Sequence, residues 1–141
     1  MTDPYLSEVN CINRLVGQYK EHRNLFIAFD FDDTIFDFHK KGYKYDTVIK
    51  LLKECQELGF TLILFTSNEG KELLKCVKHC HKIGLRGFYK NVSPIKPECR
   101  KPYYNILLDD KAGLGQAYSI LTQAIRIIRK ICFKIRRRTF Y

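Results

Sequence analysis

The chain has 141 residues, 45% of them hydrophobic, which suits one domain spanning 1–141 with a single modest core. No apolar run approaches the roughly 20 residues that cross a bilayer, and Met1-Thr2-Asp3-Pro4-Tyr5 lacks the basic-then-apolar order of a secretory leader, so a cytosolic (cytoplasmic) protein is expected. The formal net charge of +10 bears on partners and not on fold: it favours polyanions such as nucleic acid, anionic lipid and phosphorylated substrates.

In chain order, Asp3-Pro4 reads as a helix start. It is followed by Leu6, Val9, Ile12, Leu15 and Val16 at helical spacing. Asn24 to Phe29 is a short apolar run, suited to a central strand, that ends in the carboxylates of Asp30-Phe31-Asp32-Asp33-Thr34. Asp46 to Leu58 is an amphipathic helix stopped by Gly59, and Phe60 to Phe65 is a second strand ending at Thr66-Ser67-Asn68. A further helix is predicted from about Lys71 to Ile83, stopping at Gly84, then a short strand at 88–92. The segment 93–102, with its three prolines, reads as loop. Tyr104 to Leu108 is a strand that terminates in Asp109-Asp110, and the last helix starts near Leu114.

Six cysteines in a chain without an export signal read as reduced thiols. The cluster Cys76-Val77-Lys78-His79-Cys80-His81 offers zinc-type ligands, but four ligands on one helix cannot converge on one ion. A buried helix face is the expectation there.

Strands alternating with helices predict an α/β fold: a three-layer, Rossmann-like arrangement with a mainly parallel central sheet and helices on both faces. Such sheets bind ligands outside the carboxyl ends of their strands. Three predicted strands end there in polar groups, at Asp30/Asp32, at Thr66/Ser67 and at Asp109/Asp110. Residues two apart on an extended chain share a side, so Asp30 and Asp32 can face one substrate. Their mutual repulsion is relieved by a divalent cation, and an all-oxygen donor set of Asp30, Asp32, Asp109 and Asp110 specifies Mg²⁺ over zinc. Phosphate-monoester hydrolysis then employs one carboxylate as nucleophile and a second as acid and base, with a hydroxyl and a lysine on the transferring phosphoryl group. Thr66 and a lysine of the 96–101 region fit the last two tasks. Thr34, Thr66, Ser67 and Asn68 are the candidate substrate-binding groups.

These motifs resemble the haloacid-dehalogenase (HAD) superfamily of phosphohydrolases over residues from about 24 to about 118. The first, an apolar strand followed by DxDxT, stands as Phe29-Asp30-Phe31-Asp32-Asp33-Thr34. The second matches Leu62-Ile63-Leu64-Phe65-Thr66, and the fourth Ile106-Leu107-Leu108-Asp109-Asp110. The resemblance implies that Asp30 is the nucleophile of an aspartyl-phosphate mechanism. It also implies that Asp32 is the acid and base and binds Mg²⁺ through its backbone carbonyl. An acid at position 32 favours phosphatase or phosphotransferase members over dehalogenases, phosphonatases and ion pumps. The third motif is a lysine before the fourth strand. Lys90, Lys96 and Lys101 qualify by position, with Lys101 ranked first and Lys96 second, and Lys111 is a further cation beside the acids.

Only 33 residues separate Asp32 from Thr66 and 34 separate Thr66 from Lys101, too few for a folded cap. A capless member is implied, with the segment 36–44 as its only flap. The open site implies a macromolecular substrate or an oligomer that supplies the lid, and a small exposed substrate also fits; nucleotides and nucleic-acid ends are the candidate phosphate esters. In the tail, Ile120, Leu121, Ala124, Ile128, Ile131 and Ile135 recur at helical spacing opposite Arg126, Arg129, Lys130, Lys134 and Arg136-Arg137-Arg138. A closing helix, a nucleic-acid contact and a membrane-surface helix all fit that pattern. Against hydrolysis stand two other readings: a HAD-like module that binds nucleic acid or phosphorylated partners without turnover, and a phosphotransferase.

Overall fold

The computed structural model describes residues 2–139. The chain opens with a 3₁₀ turn at Pro4–Leu6 and then α1 (Glu8–His22). Proline is well placed in the first turn of a helix, but Ser7 is extended, and its hydroxyl accepts from the Asn10 amide at 3.3 Å. The helix therefore starts at this cap and not at Asp3-Pro4. Leu6 and Val9, expected on the apolar face, are exposed, and the buried face is Ile12, Leu15, Val16 and Tyr19.

Four strands follow: β1 (Phe26–Phe29), β2 (Thr61–Leu64), β3 (Tyr89–Lys90) and β4 (Ile106–Leu108). They form an all-parallel sheet in the order β3-β2-β1-β4. Phe29 is level with Leu64 on one side and Leu108 on the other. Between the strands lie α2 (Asp46–Glu57) and α3 (Gly70–Lys82), and α4 (Leu114–Thr139) closes the chain. Helices α2 and α3 end alike. Gly59 and Gly84 take positive φ (79° and 97°), and the amide of the next residue reaches back, Phe60 to the Cys55 carbonyl and Leu85 to that of Cys80. Only glycine adopts this backbone without strain. It turns each helix sharply enough to feed the strand that follows.

Alternate strand residues face opposite ways. Ile27, Phe29, Leu62, Leu64 and Leu108 share one core with residues from all four helices, among them Leu15, Leu52, Cys80 and Leu121. Ala28 and Ile63 are equally buried, but they belong to the reverse face. There the crossover from β3 to β4 passes, and the Tyr103 ring meets Phe26 edge-on at 5.3 Å. The molecule is thus α/β, a parallel central sheet flanked by helices and consistent with a Rossmann-like three-layer arrangement, with the irregular crossover 91–105 and not a helix covering the reverse face. The loop expected at 93–102 is present, and no helix forms anywhere in the crossover 91–105. Its prolines and the φ of 53° at Lys96 are incompatible with a helical run.

Helix α4 packs along α1. The Tyr19 hydroxyl lies 3.1 Å from the Cys132 thiol, and Glu8 accepts from Ser119 and Gln123 at 2.6 and 2.8 Å. The core-facing row of α4 fades near Cys132, so Ile135, expected on it, is 45% exposed. All six cysteines are free. Cys76 and Cys80 are buried on α3, with burial raising both thiols, Cys80 to about 12. Among the described residues no helix is long and apolar enough to cross a membrane.

Replacing Ile27 by Ala should cost about 2–5 kcal/mol, because the void lies between close-packed elements that cannot collapse into it. Leu74→Ala on the exposed face of α3 should change stability by no more than about 0.5 kcal/mol. Urea denaturation of the two variants against the parent chain measures the contrast.

Candidate active site

The apolar strands β1 and β4 end side by side, and the chain turns polar at the same level on both. The Asp30 amide donates to the Leu108 carbonyl at 2.9 Å, which holds the first residue beyond β1 against the end of β4. Next the chain coils into a tight loop. The amides of Thr34, Ile35 and Phe36 all point at the Phe31 carbonyl, and Asp33 takes a left-handed φ of 58°. Two buried side chains, Phe31 and Ile35, nail this loop to the core. Phe31 stacks on Phe36 at 4.9 Å, and the His79 ring of α3 meets both edge-on. Burial there, with Lys82 nearby, lowers the His79 pKa and favours the neutral imidazole.

Thr34 is fully buried, so it cannot serve as the substrate-binding residue expected from the motif. Its hydroxyl accepts from the Asp110 amide at 3.1 Å and lies 3.4 Å from the Asp110 carboxylate, to which it donates. The threonine is a clasp between the first motif and the acidic pair. Asp109 is steadied separately, its carboxylate accepting from the Lys111 amide at 2.9 Å.

Held in this way, Asp30, Asp109 and Asp110 each present a carboxylate oxygen within 4.8 Å of the others. Burial raises the Asp30 pKa from 3.8 to about 7; the Phe31 amide opposes that rise, and the charges of Asp109 and Asp110 add to it. Such a cluster fits a hard divalent cation. Oxygens around Mg²⁺ at about 2.1 Å lie roughly 3 Å apart when adjacent and roughly 4 Å when opposite, so the three need little closure. The Asp32 carboxylate is not part of this trio. It is half-buried and close enough to α3 that its charge, after burial itself, helps raise the Cys76 thiol.

One strand over, the Thr66 amide donates to the Asn91 side chain at 2.7 Å. The Thr66 hydroxyl accepts from the Asn68 amide at 3.2 Å and from the Asn68 side chain at 2.9 Å. With both bonds arriving at its lone pairs, that hydroxyl keeps its proton to donate outward. Asn68, expected to bind substrate, spends its amide group on Thr66 and, at 3.4 Å, on the Cys76 sulfur. Ser67 between them is exposed. Asn91 is the residue the sequence reading missed. It stands just past β3 at a φ of 52°, and one asparagine after a two-residue strand gives little signal.

Lys96 and Lys101, ranked for the third motif, are not brought to the carboxylates. Both line a cavity of about 780 Å³ with His22, Asn24, Phe26 and Tyr103, beside the first residue of β1. A parallel crossover must carry the chain from the carboxyl end of one strand back to the amino end of the next, so residues late in 91–105 finish at the wrong edge. Lys90, the last residue of β3, and Lys111, next to Asp110, are at the carboxyl edge.

The flap 36–44 is tied to the same loop. His39 contacts the Asp33 carboxylate at 2.9 Å, and Asp37 accepts from the Lys41 and Gly42 amides at 3.0 and 2.6 Å. Phe38 and Tyr43 are exposed on it.

No protein-family model matches the sequence, and no curated protein matches it. Among solved structures the chain is similar to a conserved protein coded by a locus of Bacteroides thetaiotaomicron. The two are 24% identical with a TM-score of 0.59, over 71% of this chain and 91% of that one. The likeness extends to the fold, the parallel α/β sheet with its flanking helices.

The raised Asp30 pKa has a definite sign. The native carboxyl holds its proton at pH values where the unfolded one has lost it, so its contribution to stability is complete below about pH 4 and is lost as pH rises through about 7. In melts with chelator, Asp30→Asn should therefore gain stability relative to the parent chain between pH 5 and pH 8. A constant difference over that range would contradict the assignment.

Proposed function

We infer that the chain is a Mg²⁺-dependent phosphomonoester hydrolase, working through an aspartyl-phosphate on Asp30 in the manner the HAD-like motifs imply. The observation that carries this reading is the meeting of Asp30, Asp109 and Asp110 within 4.8 Å at the carboxyl ends of two parallel strands. Bound to these oxygens, Mg²⁺ would offset the carboxylate charge and that of the phosphoryl oxygens.

The chain's own groups supply the remaining steps. A carboxylate oxygen of Asp30 forms a bond to phosphorus as the ester oxygen leaves, and the Asp32 carboxyl gives that oxygen its proton. The Asp32 carboxylate then takes a proton from water as the water oxygen bonds to phosphorus and the bond to Asp30 breaks. This returns Asp30 and frees inorganic phosphate. Asp32 suits the proton work because its side chain stands outside the acidic trio. The outward proton of Thr66 is available to a phosphoryl oxygen. Lys90 and Lys111 are the lysines placed to add charge stabilisation, in place of Lys96 and Lys101. The short flap leaves the site open, which favours a phosphate at the end of a large substrate.

Hydrolysis of a generic aryl phosphate tests the reading. With Mg²⁺ the parent chain should release phosphate. Asp30→Asn should slow the reaction by a factor on the order of 10³ or more, and Asp32→Asn by about 10²–10⁴. Equal rates for Asp30→Asn and the parent chain would remove the mechanism.

Asn91→Ala should lower kcat by about tenfold while the global fold persists, since it frees the Thr66 loop without touching a reacting atom. Steady-state kinetics beside a far-ultraviolet spectrum measures both.

A further inference from the structure

Charge is distributed very unevenly along this chain. No Asp or Glu follows Asp110, whereas eight of the 25 Lys and Arg residues do, so residues 111–141 hold most of the net charge of +10. Seven of these cations fall between Arg126 and Arg138, on the second half of α4. Arg126 lies about 18 Å along the helix from Leu114. The first half of α4 is the closing helix of the fold. The second half is exposed along its cationic side, and Arg129, held by Glu54 at 3.3 Å, is the one of these cations with a carboxylate within 4 Å among the described residues.

In the middle of that side stands Phe133, 58% exposed. Residues three and four apart are neighbours on a helix surface. The four positions that frame Phe133 in this way are Arg129, Lys130, Arg136 and Arg137, all cations. The Arg137 guanidinium lies 4.7 Å from the ring centre. An aromatic ring displayed inside a frame of positive charge is the combination that unpaired nucleotides require: phosphates meet the cations, and a base lies on the ring.

A membrane-surface helix needs a continuous apolar face opposite its cations. Here most of that face is already occupied, as Ile128, Ile131 and Cys132 pack on the core and Cys132 meets Tyr19, and the apolar groups left exposed, Ile127, Phe133 and Ile135, do not form a continuous face. We propose that the exposed half of α4 is a docking surface for single-stranded nucleic acid, with Phe133 as the stacking platform and its cationic neighbours Lys130, Arg136 and Arg137, unpaired among the described residues, on the phosphates. The surface lies beside the carboxyl end of α2, where Phe133 and Arg136 line a shallow cavity with Glu57 and Leu58. It is therefore at the amino edge of the sheet, away from Asp30. The proposal stands independently of the hydrolase reading.

Anisotropy of a short dye-labelled single-stranded oligonucleotide, titrated with the full chain from about 50 to about 200 mM salt, tests it. Binding should weaken steeply with salt, by roughly 0.7 in log–log slope for each phosphate neutralised. Arg136→Gln with Arg137→Gln should make that slope shallower by about 1.4. Phe133→Leu should lower affinity about tenfold and leave the slope unchanged, and Asp30→Asn should bind like the parent chain. Any of three results would overturn the proposal: no binding at the lowest salt, parental affinity in Phe133→Leu, or capture by phosphatidylserine vesicles but not by the oligonucleotide.

Discussion

Three carboxylates held at the ends of two neighbouring strands are a source of repulsion, and the surroundings of Asp30 are arranged to bear it. The Asp30 amide is bound to the end of β4, and the Thr34 hydroxyl grips Asp110 at both its amide and its carboxylate. Phe31 and Ile35, sunk into the core, stop the loop from relaxing away. Without these attachments the like charges would separate, and only burial, the larger cause, would be left to hold a proton on Asp30 near neutrality. The stability of the fold is thus spent on keeping the acids together, a configuration that makes chemical sense once a cation or a phosphoryl group joins them.

Parallel pairing imposes the second constraint. Each strand must be followed by a return to the opposite edge, so only the first few residues after a strand remain near the site. Asp30, Asp32, Thr66, Asn91 and Asp109 all satisfy that condition, and Lys96 and Lys101 do not. Between β1 and β2 and between β2 and β3 the return is made by a helix, and between β3 and β4 by irregular chain. That third return leaves a cavity beside Phe26 and Tyr103 on the reverse face of the sheet.

The strand ends were legible in the sequence because each is a change of solvent preference within one or two residues, from Phe29 to Asp30, from Phe65 to Thr66 and from Leu108 to Asp109. Helix stops at Gly59 and Gly84 were legible for the same local reason. The start of α1 was misread because Pro4 fits a first turn wherever it occurs, and the competing signal, the Ser7 hydroxyl, is equally short. The lysines and the role of Thr34 were illegible because they depend on where a returning loop travels and on what lies across from it. Neither is written into local spacing. The extent of α4 was visible as periodicity, but the point where its apolar face leaves the core, between Cys132 and Ile135, depends on the length of α1 beside it.

The long helix α4 begins next to Asp110 and carries its cations to the far edge, so the Asp30 cluster marks an acidic pole and the end of α4 a basic one, with Lys90 and Lys111 beside the acids and Glu54 and Glu57 beside the bases. In dilute salt the dense run of cations on α4 draws an approaching anion toward the basic pole first. Ions at physiological strength screen this field beyond about 8 Å. Encounter at the acidic pole is then governed by diffusion alone, and the two ends of the molecule meet their ligands independently.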